Sequence, residues 1–305
     1  MLKPRRLRSG DRIALVAPAS PFRREEFDAG ATELSRLGFS PVFDERVFAR
    51  GRFVAGEPAL RVAQLHDAWR DPTIAAVLSV RGGYGSAQLL PLLDVALMRE
   101  GAKPFIGYSD LTALLWWHQL HHAVAFHGPM VERRLSRGES GYDRWSFLAA
   151  LTGDRPMGEL QPDRLESLRP GEARGTLVGG TLSQLAASLG TPWAFAPPTD
   201  CILFLEDVGE RPYRIHRLLT QLQQADVLRR AGAIVFGEFP ACDEPGGEHA
   251  IRDVLCEFVS AFDGPVLFGF PSGHTTEATW TLPFGVAARV VAAPPMLVIE
   301  ETAVV

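Results

Sequence analysis

Several short stretches of this 305-residue chain carry side chains that could do covalent chemistry. In Lys103-Pro-Phe-Ile-Gly-Tyr-Ser-Asp-Leu-Thr112 an apolar run ends at Gly107 and a helical pattern starts near Leu111, so Ser109 falls at a strand-to-helix turn. Such a turn pushes a serine hydroxyl outward, and the helix start offers backbone N–H groups, that of Asp110 first, to an oxyanion. The competing reading is a helix cap, because Ser and Asp are both favoured there and contribute about 1 kcal/mol. The stretch also lacks the second glycine of GxSxG. Taken locally, the cap is the better account.

A serine nucleophile needs a base, and the base needs an orienting acid, because a free hydroxyl is protonated at neutral pH. Among eight histidines, His274 follows Pro271-Ser-Gly273 and His127 follows Phe126, each leaving a strand-like run for a polar segment. His118, His121 and His122 lie on or at the end of a helical pattern, and His66, His216 and His249 fit amphipathic helices. The acid is Glu206 or Asp207 at the end of Cys201–Leu205. Strand neighbours face opposite ways, so only one of the two can address a given imidazole.

Arg81-Gly-Gly-Tyr-Gly85 also follows a β-branched run. Its glycines allow backbone amides close to a substrate oxygen, or alternatively form an anion cradle, although neither the P-loop nor the full GxGxxG spacing is present. His118 and His122 are four apart but lack the Glu of HExxH, and the helix ends near them, so no metal and no cofactor are expected.

The elements that must position these residues alternate. Arg12–Ala17, Ser40–Phe43, Ile74–Val80, Pro104–Ile106 and Ala123–Phe126 read as strands, with helices at Glu25–Leu37, Glu57–Trp69, Ser86–Leu93 and Leu111–His121. This is a doubly wound parallel sheet with helices on both faces. Thr152–Gly171 is rich in Pro, Gly and Asp, which discourages regular structure. We therefore expect an α/β domain over residues 1–155, a linker over 156–171, and a smaller mixed α/β, barrel-like domain over 172–305. Within the latter, strands at Ala173–Val178, Ile202–Leu205, Ala233–Phe236 and Val266–Phe268 alternate with helices at Leu182–Leu189, Arg214–Gln223 and His249–Ala261. Short β-prone runs at Thr279–Leu282, Ala287–Val291 and Leu297–Glu300 should be antiparallel.

Composition excludes several classes. Hydrophobic residues at 46% and charged residues at 22% are ordinary globular usage, with core enough for two domains. A charge of -5, with no basic block beyond Lys3–Arg8, does not point to nucleic acid. No apolar run approaches the length of a spanning helix, and the opening residues lack an h-region, so we expect a soluble protein without membrane partners. Cys201, Cys242 and Cys256 show no CxxC spacing and fit ordinary thiols in a reducing cytoplasm.

Taken in order, Ile13–Pro18, Arg81–Gly85, Ile106–Thr112, His127–Met130, Gly179-Gly180, Leu205–Gly209 and Gly269–His274 resemble the LD-carboxypeptidase family of serine peptidases. That family comprises muropeptide LD-carboxypeptidases and microcin C immunity peptidases, and its catalytic order is Ser, Glu, His. The resemblance implies Ser109, Glu206 and His274 as the triad, choosing Glu206 over Asp207 and His274 over His127. It also implies a backbone oxyanion hole from Gly82, Gly83 and Asp110, a flavodoxin-like first domain, a cytoplasmic location and a homodimer.

The expected reaction is removal of terminal D-alanine from a muropeptide tetrapeptide through an acyl-enzyme. Arg81 or an arginine of the second domain, with Tyr84, would contact this small peptide. The alternative within the family is hydrolysis of a peptide-nucleotide or acyl-adenylate, in which an aromatic platform such as Trp193, Trp116 or Trp117 stacks on the base. The alternative outside enzymology is a two-domain binder of a small anion at Gly82–Gly85.

Overall fold

The computed structural model describes residues 1–247 and 249–305. The chain forms two units, one of Met1–Asp154, Glu277–Pro283 and Ala303–Val305, the other of Arg155–Thr276 and Phe284–Thr302.

The first unit begins with β1 (Arg12–Val16), α1 (Arg24–Arg36), β2 (Ser40–Val42), α2 (Pro58–Arg70) and β3 (Ile74–Ser79), continuing through α3 (Val95–Glu100), β4 (Phe105–Gly107), α4 (Thr112–Leu120), β5 (Ala125–His127) and α5 (Arg144–Thr152). α1 buries Phe27, Gly30 and Leu34 on one face, carries Glu25 and Glu26 in its first turn and Arg36 in its last, and stops before Gly38 at φ 91°. That charge order complements the helix dipole, and a left-handed glycine ends the helix without a Cβ penalty. β3 is buried along its whole length, as a central parallel strand covered on both faces should be.

Strands β2, β1, β3, β4 and β5 are parallel neighbours in that order. This 2-1-3-4-5 arrangement is the flavodoxin-like sheet expected above, with its order reversing between β1 and β3. The segments leaving the carboxyl ends of β1, β3 and β4 are Ala17–Ser20, Val80–Gly85 and Tyr108–Asp110.

The second unit contains β6 (Gly158–Leu160), β7 (Glu166–Arg169), β8 (Glu172–Thr181), α6 (Leu182–Ser188), β9 (Cys201–Glu206), α7 (Pro212–Gln224), β10 (Ala231–Phe236), α8 (Ile251–Phe258) and β11 (Val266–Phe268). The chain then returns to the first sheet as β12 (Leu282–Phe284), beside β5, before β13 (Ala287–Ala292) and β14 (Pro295–Ile299) complete the second. The second sheet runs β6-β14-β13-β8-β9-β10-β11-β7. Strands β8 to β11 are parallel, whereas β13, β14, β6 and β7 join antiparallel. β13 also approaches β7 and β11 from the far end of this order, so the sheet curls toward a barrel.

Two expectations need correction. The 156–171 segment is not a bare linker: it supplies β6 and β7, the short, half-exposed edges of the second sheet. Edge strands tolerate Pro and polar residues, which is why turn-forming composition hid them. Thr279–Leu282 is not a strand of the second sheet either, because Glu277–Pro283 belongs to the first unit.

Candidate active site

In the first unit, Ser109 sits two residues past the end of β4 with φ 65°, a left-handed conformation that a non-glycine residue adopts only under strain, at about 1–3 kcal/mol. Tyr108 before it is extended, and the helical turn Ser109–Leu111 leads into α4, so the chain reverses sharply at the serine. This is the geometry of a nucleophile elbow. A Cβ at Gly82 would lie 3.0 Å from Ser109 Cβ and 3.3 Å from Ser109 Oγ. The absence of a side chain there brings the backbone after β3 against the hydroxyl.

The Gly82–Gly85 turn is held from two sides. Asp110, buried, accepts from the backbone N–H of Ser86 at 2.8 Å and of Gly85 at 3.2 Å. Burial raises its carboxyl above the usual range, against the lowering pull of those N–H groups and of Arg61. Arg61, fully buried on α2, donates to the carbonyls of Gly56 (3.0 Å), Pro18 (2.9 Å) and Gly85 (2.8 Å) and to Gln88 Oε1 (2.7 Å). One guanidinium thus ties the segments after β1 and β3 to the start of α2. On the outer side, Ser20 Oγ accepts from Tyr84 N–H at 3.1 Å and donates to Phe53 O at 2.8 Å.

Tyr84 is exposed beside this turn. Arg81 is already engaged: its Nε lies 3.2 Å from buried Glu132, and its Nη1 donates to Pro21 O at 2.8 Å. His127, on β5, is fully buried, its ring 6.0 Å from that of Tyr108 at an angle of 63°. His118 is stacked on Phe105 in the core, and its burial lowers the imidazole to about 4, whereas His122 lies beyond the end of α4. Trp116 and Trp117 are buried and offer no platform, whereas Trp193 is partly exposed.

In the second unit, Glu206 ends β9 with no exposed surface. Its Oε2 accepts from the backbone N–H of His274 at 2.9 Å and lies 2.7 Å from His274 Nδ1. An ionised carboxylate only accepts, so Nδ1 carries the proton and the basic lone pair falls on Nε2. Oε1 accepts from Thr181 Oγ1. A Cβ at Gly237 would meet Glu206 Cβ at 2.7 Å, so the residue following β10 must be glycine for Glu206 to sit where it does. Two residues past His274, Thr276 donates to Glu238 Oε2 from its N–H at 2.9 Å and its hydroxyl at 2.7 Å, anchoring the loop a second time.

Asp207 points the other way, as strand alternation requires. It accepts from Ser183 N–H at 2.8 Å and from Val208 N–H at 2.9 Å. Burial, reinforced by the neighbouring Glu206 charge, pushes its carboxyl up to about 6. Between the two carboxylates, the imidazole goes to Glu206. Sequence reasoning missed Thr181, Gly237, Glu238 and Arg61. Thr181 had a signal in its place after Gly179-Gly180 at a strand end, but nothing local tied it to a residue 25 positions on.

Residues 13–128 match the LD-carboxypeptidase N-terminal domain and residues 174–290 the LD-carboxypeptidase C-terminal domain. The murein tetrapeptide carboxypeptidase of Pseudomonas aeruginosa is 34% identical over 287 residues, covering 91% of this chain and 92% of that protein. The solved muramoyltetrapeptide carboxypeptidase from Oxalobacter formigenes superposes with TM-score 0.83 at 30% identity, over 95% of this chain and 99% of that one. The microcin C7 self-immunity protein MccF, solved in complex with aspartyl sulfamoyl adenosine, superposes with TM-score 0.90 at 25% identity over all of both chains. With both domains matched and the relatives aligned almost end to end, the chain belongs to the LD-carboxypeptidase family of serine peptidases.

Proposed function

We propose that this protein is a serine carboxypeptidase that removes the terminal D-alanine from muropeptide tetrapeptides by cutting the amide between an L-centre and a D-residue. The observation that carries the mechanism is the buried Glu206 carboxylate gripping His274 at both Nδ1 and its backbone N–H, which orients the imidazole as a base.

In this reaction His274 Nε2 takes the Ser109 proton as Oγ attacks the scissile carbonyl. The backbone N–H groups of Gly82, Gly83 and Asp110 receive the negative charge that develops on its oxygen. The tetrahedral intermediate collapses as His274 returns the proton to the departing amine of D-alanine. Water, deprotonated by the same imidazole, then releases the acyl group from Ser109. Tyr84 is assigned to substrate contact. Arg81, with Nε and Nη1 committed to Glu132 and Pro21, has at most one edge for the terminal carboxylate.

The test is digestion of a muropeptide tetrapeptide followed by mass spectrometry. One alanine residue should be lost, with no further shortening, and Ser109→Ala should leave the tetrapeptide intact. Full turnover by Ser109→Ala would sink the mechanism. A second reading, hydrolysis of an acyl-sulfamoyl adenylate, is favoured by the TM-score of 0.90 to the immunity protein holding aspartyl sulfamoyl adenosine. Running that compound beside the tetrapeptide separates the two. Three unbridged thiols suit a reducing cytoplasm, and we expect a homodimer, which sedimentation velocity would measure.

A further inference from the structure

We infer that Thr181 is a positioning residue of the catalytic apparatus: its hydroxyl holds the second oxygen of Glu206 and thereby fixes the carboxylate that orients His274. The inference rests on the assignment of Glu206 and His274 proposed above, and deepens it.

Thr181 closes β8 and lies directly opposite Glu206, the last residue of β9, in the parallel ladder. Both side chains are buried, at 4% and 0% exposure, so water does not substitute easily for a lost partner. Glu206 is held at distinct points. Oε2 accepts from the backbone N–H of His274 and faces its Nδ1, Oε1 accepts from Thr181 Oγ1, and the bare Cα of Gly237 forms a wall against Glu206 Cβ. A carboxylate held at one oxygen alone can swivel about its terminal torsion, which is soft and broad. Held at both oxygens, it presents a fixed direction to the imidazole.

The donor itself is fixed from two sides. Thr181 is β-branched, which restricts its χ1, and the backbone beyond it is pinned where Ser183 N–H donates to Asp207. Consecutive carboxylates of one strand therefore clasp the same neighbouring segment, Glu206 through the Thr181 side chain and Asp207 through the Ser183 backbone. This gives Asp207 a structural task and leaves Glu206 to the imidazole. A hydrogen bond to a charged group is stronger than one between neutral partners, and its loss in a buried site leaves the charge undersolvated.

The experiment compares Thr181→Val, which keeps shape and removes the hydroxyl, with Thr181→Ser, which keeps the hydroxyl and removes the methyl. Steady-state kinetics on the muropeptide tetrapeptide are paired with the rate of inactivation by an alkyl fluorophosphonate, which reports serine reactivity without demanding substrate recognition. Thr181→Val should lower kcat roughly tenfold or more, from the loss of one charge-assisted hydrogen bond. KM should stay within about twofold, and fluorophosphonate inactivation should slow in step with kcat, because only the acid–base pair is disturbed. Thr181→Ser should restore both rates to within about threefold of the wild type.

Wild-type kcat and inactivation rate in Thr181→Val, with both lost in Glu206→Gln, overturn the inference and leave the catalytic assignment standing. Equal impairment of Thr181→Ser and Thr181→Val also overturns it, since packing of the methyl would then be the cause. Full activity in Glu206→Gln refutes the assignment itself. If Thr181→Val does not fold, Thr181→Cys, with a weak donor at the same place, carries the same kinetic comparison.

Discussion

The two halves of the proposed machinery are built on different physics. Around Ser109 the work is done by the backbone: a left-handed serine, a glycine whose absent side chain admits the neighbouring turn, and a buried arginine tying carbonyls together. Around His274 it is done by side chains: a carboxylate without solvent exposure, shared between an imidazole, a backbone N–H and a threonine hydroxyl. A nucleophile needs a fixed place, which conformation supplies. A base needs a fixed tautomer and direction, which only hydrogen-bonding partners supply.

The sharpest way to break this comparison is at its two centres. Ser109→Ala should lower turnover by about 10^4-fold or more while leaving the fold intact. Ser109→Gly should be equally inactive but more stable in urea by about 1 kcal/mol, because glycine accepts φ 65° without strain. Equal stability of Ser109→Gly and the wild type would show that the turn is not strained. Glu206→Gln should cost about 10^3 to 10^4 in kcat through the wrong tautomer, with circular dichroism unchanged.

Two glycines extend the contrast. Gly82→Ala places a Cβ 3.3 Å from Ser109 Oγ, and it should cut kcat by about tenfold with little change in melting temperature. Gly237→Ala drives a Cβ to within 2.7 Å of Glu206 Cβ in a packed interior, so it should also destabilise the protein, by about 1–3 kcal/mol. If both variants lost stability equally, the distinction between a backbone-built and a side-chain-built half would fail.

A separate effect, one of pH, arises at a histidine outside the site. His118 is buried among Phe105, Trp69 and Trp117, which lowers its imidazole from 6.5 to about 4 in the folded protein. A depressed folded value means that the stabilisation is present above 6.5, where both states are neutral, and is lost as pH falls toward 4, because the unfolded chain takes up the proton first. Denaturant titrations should lose up to about 3 kcal/mol over that window from this residue, and His118→Phe should flatten that part of the profile.

The first sheet was legible because its strands are apolar runs between helices of clear periodicity, and β1 and β3 lie within a residue or two of the expected spans. The Ser109 turn was also legible, since a strand end, a glycine and a helix start are local signals. The acid was not: Glu206 and Asp207 both end the same buried strand, and only their partners on β8, α6 and the His274 loop separate them. Family resemblance chose between them where spacing could not. α5 was missed although Asp143 caps it through Ser146 N–H at 2.6 Å, and β6 and β7 hid in a segment written in turn residues.

The return of the chain to its first unit sets an order on biosynthesis. Glu277–Pro283 and Ala303–Val305 belong to the unit that carries Ser109, and Val305 exchanges backbone hydrogen bonds with Pro4 and Arg6. Domains of a nascent chain generally fold as units from the amino end. Here the sheet of β1 to β5 lacks β12 until strands β6 to β11 of the second unit have been synthesised, so residues 1–154 alone do not make up the first unit. In the proposed peptidase, the sheet beside Ser109 is therefore complete only after Glu206 and His274 have been made.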